Sequence, residues 1–267
     1  MTAAEGLRVL VAGARGGIGG ACVELLERDG HLAVGVDRDP GPPSLGPGRG
    51  STRGPGMEAG TTTGARSRTQ AVDITLPGGA EQAVGLAEET LGGLDGIVHA
   101  IGMSGRRLGD GPVTRCTDPA WAEVLRVNLE SAFRLMRAGL PALERAGGGS
   151  FVTIGSVLGQ SADRDFMTAA YAASKGGLAN LTRTAAMEVA AKGVRVNLVA
   201  AGLVETPMAS RALRDERIAG RVAELQPLGA RAVTAAEVAA AVVWLLSPAS
   251  GQTTGASLPV DGGWLLR

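Results

Sequence analysis

The sequence predicts an α/β protein: one doubly wound parallel sheet of about seven strands, with helices on both faces. Three observations carry this. Short apolar strand patterns alternate with helical patterns from one end of the chain to the other, as crossover-connected parallel strands require. The first strand runs into a glycine-rich turn that opens a helix. The chain has 267 residues, 45% of them apolar, enough to cover one large sheet, and no repeat or boundary divides it.

The elements follow in order. Leu7–Ala12 is a short buried strand. Gly13-Ala-Arg-Gly-Gly-Ile-Gly19 turns the chain into a helix that runs through Arg28 and is stopped by Gly30. Leu32–Val36 is the second strand and ends at Asp37. Residues 41–60 hold eleven Gly or Pro in twenty, so Pro40–Thr69 is read as a mobile surface loop without regular structure. Gln70–Asp73 is a third strand, followed by a helix at about 78–91. Leu94–Ile101 is a fourth strand, closed by Gly102. Pro119–Leu143 is a long helix with Asp118 as its N-cap. Ser150–Ile154, a helix over Ala169–Lys192 and a strand over Val194–Val199 come next. Residues 206–224 read as helical and highly charged. The apolar helix Ala235–Leu246 and the strand Ala256–Val260 lead into Asp261-Gly-Gly-Trp264.

Composition narrows the function. The 26 basic residues balance 26 acidic ones, which argues against nucleic acid or an anionic membrane as partner. Cys22 and Cys116 lie far apart and show no metal-ligand spacing, so neither a disulfide scaffold nor a zinc pattern is present. His31 and His99 alone cannot build a metal site, and none is expected. No apolar stretch approaches the length of a membrane span, and the run at Leu7–Ala12 is too short for a signal peptide. A soluble, cytoplasmic protein acting on a small molecule is expected.

Gly13-x-x-x-Gly17-x-Gly19 fits a phosphate-binding turn. Glycine lets the backbone approach a pyrophosphate, and the helix N-terminus offers free N–H groups and a positive dipole. Asp37 ends the next strand, eighteen residues beyond Gly19. A carboxylate there can accept hydrogen bonds from the ribose hydroxyls of adenosine and repels a 2′-phosphate, so it favours NAD over NADP. Arg38 pulls the other way and leaves NADP open. Asp73, at the end of the third strand, has two readings, adenine contact or turn former.

Tyr171-Ala-Ala-Ser-Lys175 puts a phenol and an ammonium four residues apart, on one face of a helix. Tyr171 is the only tyrosine, and Lys175 one of two lysines among 26 basic residues. A phenol with a pKa of about 10 is a poor acid–base catalyst near neutrality, and a neighbouring cation lowers that value. Ser156 follows the fifth strand, at the sheet edge where open α/β proteins bind ligands, and can hydrogen-bond a carbonyl oxygen. Asn128 sits inside a helix, where asparagine is unfavourable; it either holds a water linking Lys175 to solvent or is a solvent-facing polar residue.

Together these motifs resemble the short-chain dehydrogenase/reductase family over essentially the whole chain. Its marks are Gly13-x-x-x-Gly17-Ile-Gly19, Asp73, Asn128, Ser156, Tyr171-x-x-x-Lys175, Ala201-Gly202-x-x-x-Thr206 and Val260-Asp-Gly-Gly-Trp264. The resemblance implies a Rossmann-type fold and an NAD(H)-dependent oxidoreductase that interconverts a secondary alcohol and a ketone, with NADP(H) possible. An NADPH-dependent 3-oxoacyl ketoreductase is the alternative, and a non-catalytic dinucleotide-binding protein a remote one. It implies that Tyr171 exchanges a proton with the substrate oxygen. Lys175 would lower the tyrosine pKa and hold the nicotinamide ribose, Ser156 orient the carbonyl, and Asn128 anchor a water relay. The implied cofactor-binding set is Gly13, Arg15, Gly17, Ile18, Gly19, Asp37, Arg38, Asp73, Ile74, Ala100, Gly102, Tyr171, Lys175, Gly202, Val204 and Thr206. It further implies a homotetramer or homodimer built by pairing the two long helices, and a substrate lid over 205–226.

The chain also departs from the family pattern. Ala12 stands where threonine is usual before the first glycine, His99-Ala-Ile-Gly102 replaces Asn-Asn-Ala-Gly, and Ala201-Gly202 replaces Pro-Gly. His99 reads either as a replacement hydrogen-bond partner for the backbone or as a catalytic group. Arg106 and Arg107, in a substrate-side segment, read either as solvated loop residues or as contacts for an anion.

Overall fold

A computed structural model of the protein describes residues 6–39 and 69–267. The Gly/Pro-rich loop expected over 40–69 lies outside the described residues, Thr69 excepted.

Seven parallel strands form one sheet. They are β1 (Arg8–Ala12), β2 (Leu32–Asp37), β3 (Gln70–Ala71), β4 (Gly96–His99), β5 (Gly149–Ile154), β6 (Val194–Ala201) and β7 (Ser257–Val260), in the spatial order β3-β2-β1-β4-β5-β6-β7. β1 pairs with β2 through Val9↔Ala33 and with β4 through Val9↔Gly96. The chain starts at β1, winds outward to β3, then returns to place β4 on the other side of β1. The crevice between β1 and β4 is therefore the switch point, where the carboxyl ends of such sheets receive ligands.

Successive strand residues face opposite sides of the sheet, so each strand serves two cores. Leu10, Ala12, Val36, Ile97, Phe151 and Val196 pack toward one face, and Val9, Val11, Val98, Val152 and Val199 toward the other. α1 (Gly17–Arg28) supplies Cys22 and Leu26 to the second face. α2 (Gly79–Leu91), α4 (Ser131–Arg145) and α5 (Ala169–Val189) cover the first. α9 (Ala235–Leu246) closes the second face with Val238, Val242, Leu245 and Leu246.

Four expectations change. The helix expected over 119–143 is α3 (Asp118–Leu125), a π-helical turn (Arg126–Glu130) and α4. Its N-cap is Thr117, not Asp118: the Thr117 hydroxyl accepts the Ala120 N–H at 3.3 Å, and Pro119 sits in the first turn, where its missing N–H costs nothing. The third strand stops at Ala71, because the Asp73 carboxylate accepts from both Thr75 N (2.9 Å) and Thr75 Oγ1 (2.6 Å) and so bends the chain. The charged segment breaks into α6 (Ser210–Arg214), α7 (Glu216–Ala219) and α8 (Val222–Leu225), since Asp215 caps a new start by accepting from Arg217 and Ile218.

Candidate active site

The turn after β1 is built for close approach. Gly13 has φ of +84°, and a Cβ on Gly19 would lie 2.1 Å from the Gly13 carbonyl oxygen. Only glycine lets the first turn of α1 fold back onto that loop. The N-cap of α1 is Gly16, which has no side chain to satisfy the first N–H groups, and the first turn holds no acidic residue. The helix dipole therefore points unmasked at the sheet crevice.

A cavity of about 820 Å³ opens at the carboxyl ends of the strands. It brings together Arg15, Gly17, Ile18, Ala100, Gly102, Ser156, Tyr171, Lys175, Gly202, Val204 and Thr206 of the expected set. Gly13, Gly19, Asp37, Arg38, Asp73, Ile74 and Asn128 do not line it. Gly13 and Gly19 shape the turn from beneath. Asp37 Oδ2 accepts the Arg15 backbone N–H at 3.1 Å, which ties the end of β2 to the glycine turn. Asp73 is a turn former here, and Ile74 is a core residue, 1% exposed. The turn-forming reading of Asp73 is thus the one its hydrogen bonds support, and Ile74 of the implied cofactor set packs in the core.

The donor set fits a dinucleotide. A Cβ on Gly17 would meet the Thr206 methyl at 2.7 Å, so the cradle exists only because that side chain is missing. Arg15 Nη1 is buried and has no partner among the described residues, as a guanidinium awaiting an anion would be.

Ser156 follows β5 at the start of a short 3-10 turn, Tyr171 lies in the first turn of α5, and both face the cavity. Burial pushes the Tyr171 hydroxyl above its ordinary value, and a hydrogen bond from Ser156 offsets part of this. Lys175 Nζ stands 5.8 Å from the Tyr171 ring centre and donates to the Ile154 carbonyl at 2.7 Å. It is 4% exposed, and burial brings its pKa down to about 8.

Asn128 lies in the π-helical turn, which turns its amide inward. Its Oδ1 accepts from Met103 N (2.8 Å), and its Nδ2 donates to Met103 O and Ser174 Oγ (3.0 Å each). It is fully buried, so the solvent-facing reading falls. A Cβ on Gly102 would sit 3.6 Å from both Asn128 Oδ1 and Lys175 Nζ, which places the amide and the ammonium together beside that glycine.

His99 is a bracing residue. Its Nε2 lies 2.8 Å from Ser131 Oγ, which in turn donates to the Val127 carbonyl at 2.6 Å, so the pair supports the π-helical turn. Burial, together with the Lys175 charge, brings its pKa down to about 3. The ring is neutral and does not line the cavity.

Two further residues were not identified from sequence. Asp110 is buried and accepts the backbone N–H groups of Ala170 and Tyr171, both at 3.0 Å, holding the start of α5 and with it the phenol. Gln226 is fully buried; its Oε1 accepts from Leu203 N at 2.5 Å and its Nε2 donates to Arg231 O at 2.9 Å, which braces the Ala201-Gly202 turn. Gly109-Asp-Gly111 signals a turn, but nothing local places that turn against a helix sixty residues on. Asp110→Ala is expected to cost about 1–2 kcal/mol of stability, read by urea unfolding, while Asp110→Asn retains part of it. An unchanged unfolding midpoint in the alanine variant would remove the capping role.

Comparison with known proteins gives a consistent result. Residues 13–265 match the family model described as enoyl-(acyl carrier protein) reductase. The chain is 34% identical over 260 residues to the 3-oxoacyl-[acyl-carrier-protein] reductase FabG of Escherichia coli (strain K12), covering 97% of each chain. It is 31% identical over 255 residues to the cis-4-hydroxycyclohexanecarboxylate dehydrogenase of Sinomonas cyclohexanicum, covering 96% of this chain and 95% of that one. The solved structure of a short-chain type dehydrogenase/reductase from Mycobacterium ulcerans superposes with a TM-score of 0.83 at 27% identity, covering 97% of this chain and 90% of that one.

Proposed function

Since this chain belongs to the short-chain dehydrogenase/reductase family of oxidoreductases, whose members bind a nicotinamide dinucleotide, we propose that it interconverts a secondary alcohol and a ketone. The convergence of Ser156, Tyr171 and Lys175 on one cavity beside the glycine turn carries this reading. Gly13, Arg15, Gly17, Ile18 and Gly19 would hold the pyrophosphate, Asp37 the adenosine ribose, and Ala100, Gly102, Gly202, Val204 and Thr206 the nicotinamide end. Bound there, the dinucleotide supplies or removes the hydride at the substrate carbon.

The side chains handle the proton. In the reductive direction Tyr171 gives its hydroxyl proton to the substrate oxygen, and in the oxidative direction it takes that proton back. Ser156 donates a hydrogen bond to the same oxygen and fixes the carbonyl plane. Lys175 places a positive charge where the phenolate forms. Asn128 keeps one lone pair of Oδ1 for a water on the path from Lys175 outward. Segment 205–226 acts as the lid, and the exposed Trp121 and Phe133 on α3 and α4 belong to the surface through which copies of the chain pair.

The favoured cofactor is NAD(H). The half-buried Asp37 carboxylate, held by the Arg15 N–H, supports it, since a 2′-phosphate beside it would be repelled. Fluorescence titration of the protein with NADH and NADPH tests this: NADH is expected to bind more tightly, and Asp37→Ser to move the ratio toward NADPH by about tenfold or more. Tighter NADPH binding by the unaltered protein would sink the NAD assignment. It would favour the second reading, a 3-oxoacyl thioester ketoreductase, which rests on the 34% identity with FabG over 97% of both chains.

A further inference from the structure

We propose that the cavity holds a carboxylate of the substrate between Arg106 and Arg211, so that the protein acts on a small oxo acid or hydroxy acid rather than on a neutral ketone. The proposal rests on the carbonyl–alcohol reading above.

The first observation is where the two guanidiniums stand. Arg106 opens the short 3-10 turn Arg106–Leu108 beyond β4, Arg211 lies in α6, and both line the cavity that Ser156 and Tyr171 face. They are close enough for the Arg211 charge to reach Arg106. Burial first, and that charge second, hold Arg106 below its ordinary range, with Asp110 pulling weakly the other way. Two like charges facing one cavity raise the energy of the folded state unless an anion lies between them.

The second observation is that the neighbouring carboxylates already have partners. Asp163 and Asp165, on the loop after β5, are 6% and 4% exposed at the side chain and are clamped by Arg221, which is 14% exposed. Arg217 also holds Asp165, and Arg267 also reaches Asp163 and Glu224. Three arginines and three carboxylates thus form a closed set. Asp110 is spent on the N–H groups of Ala170 and Tyr171. Among the described residues neither Arg106 nor Arg211 forms an ion pair; Arg106 reaches only the Asp165 backbone carbonyl, at 3.5 Å.

The third observation is an excess of donors. The indole N–H of Trp264 is buried in the cavity wall and has no acceptor among the described residues. Trp264 meets Phe166 edge to face at 5.2 Å, and Leu158, Leu203 and Met208 complete an apolar wall. Such a site asks for a ligand with a hydrocarbon body and an acceptor-only head, which describes a carboxylate. The glycine turn takes one end of the same 820 Å³, and what is left suits a small acid.

The test uses three oxo acids with increasing spacing between ketone and carboxylate: 4-oxopentanoate, 4-oxocyclohexanecarboxylate and 7-oxooctanoate. Each is compared with its methyl ester. At least one acid is expected to exceed its ester in kcat/KM by about 10- to 100-fold, the difference lying in KM. The Arg106→Gln, Arg211→Gln double variant is expected to erase that preference, and Arg106→Lys to keep part of it. A binding arm is independent of turnover: calorimetric titration of each pair into protein saturated with NAD+ or NADP+ forms a dead-end complex, and the same acid preference is expected there. Protein that turns over none of the six compounds but binds acids over esters, losing this in the double variant, would refute the ketone-reduction reading and uphold the anion site. Equal affinity of every acid and its ester, or a preference that survives in the double variant, would overturn the anion site. So would a preference confined to 3-oxobutanoyl phosphopantetheine over 3-oxobutanoyl pantetheine, which would assign the arginines to a carrier-arm phosphate.

Discussion

Tyr171→Phe is expected to lower kcat by about 10²- to 10⁴-fold, the usual contribution of a positioned acid–base group, and to leave the dissociation constant for the dinucleotide unchanged. The phenol faces the cavity beside Ser156, where its hydroxyl can exchange a proton with a substrate oxygen. Phenylalanine keeps the ring and its packing at the start of α5, so the change removes the proton and little else. Stopped-flow turnover alongside a fluorescence binding titration separates the two effects. Turnover that survives the substitution would sink the proposed chemistry. Weakened dinucleotide binding with normal kcat would make Tyr171 a binding residue only.

Lys175→Met is expected to do two opposite things: lower kcat by at least about 100-fold and make the protein more stable at neutral pH. In the folded protein the Lys175 pKa falls from 10.5 to about 8 because the ammonium is buried. Below pH 8 the folded and unfolded chains both carry the proton, and the folded chain carries it at a cost. At roughly 1.36 kcal/mol per pH unit, that cost is about 3 kcal/mol. It is fully present below pH 8 and fades as the pH rises toward 10.5, because there the unfolded chain binds more protons than the folded one. Methionine removes the charge and fills similar volume, but the Ile154 carbonyl then loses its donor, at about 1–2 kcal/mol. The net gain is about 1–2 kcal/mol at pH 7, shrinking toward pH 10, measured by urea unfolding across that range. A less stable variant at pH 7 would mean that the ammonium is not held at a cost.

The legible part of this protein follows from local pattern. The alternation of strand and helix in the sequence matches the seven parallel strands, with Ala235–Leu246 as α9 to the residue. Tyr171 and Lys175 share a helix face because they are four apart, and the glycine turn follows β1 because its backbone needs glycine there. What was missed depends on contacts that no window of the chain contains. The mid-helix asparagine was visible as an oddity, but the π-helical turn that makes it useful is held by His99 and Ser131 from 32 residues apart. Asp110 reaches Ala170 across 60 residues and Asp163 meets Arg221 across 58. The segment 206–224 reads only as helical and highly charged, yet the half-buried Arg221 is held in a clamp with the loop acids Asp163 and Asp165.

By itself the sequence determined the class of fold, the strand that leads to the glycine turn, and the shared helix face of Tyr171 and Lys175, since periodicity and short-range spacing settle these through backbone geometry alone. Only the tertiary structure decided which charges are neutralised and which are left over. A carboxylate three turns away in space and fifty residues away in sequence cancels an arginine as fully as a neighbour does, because Coulomb attraction and desolvation depend on distance and burial, not on chain order. That is why Arg217, Arg221 and Arg267 are structural, while Arg106 and Arg211, indistinguishable from them in the sequence, face the cavity without an ion pair among the described residues.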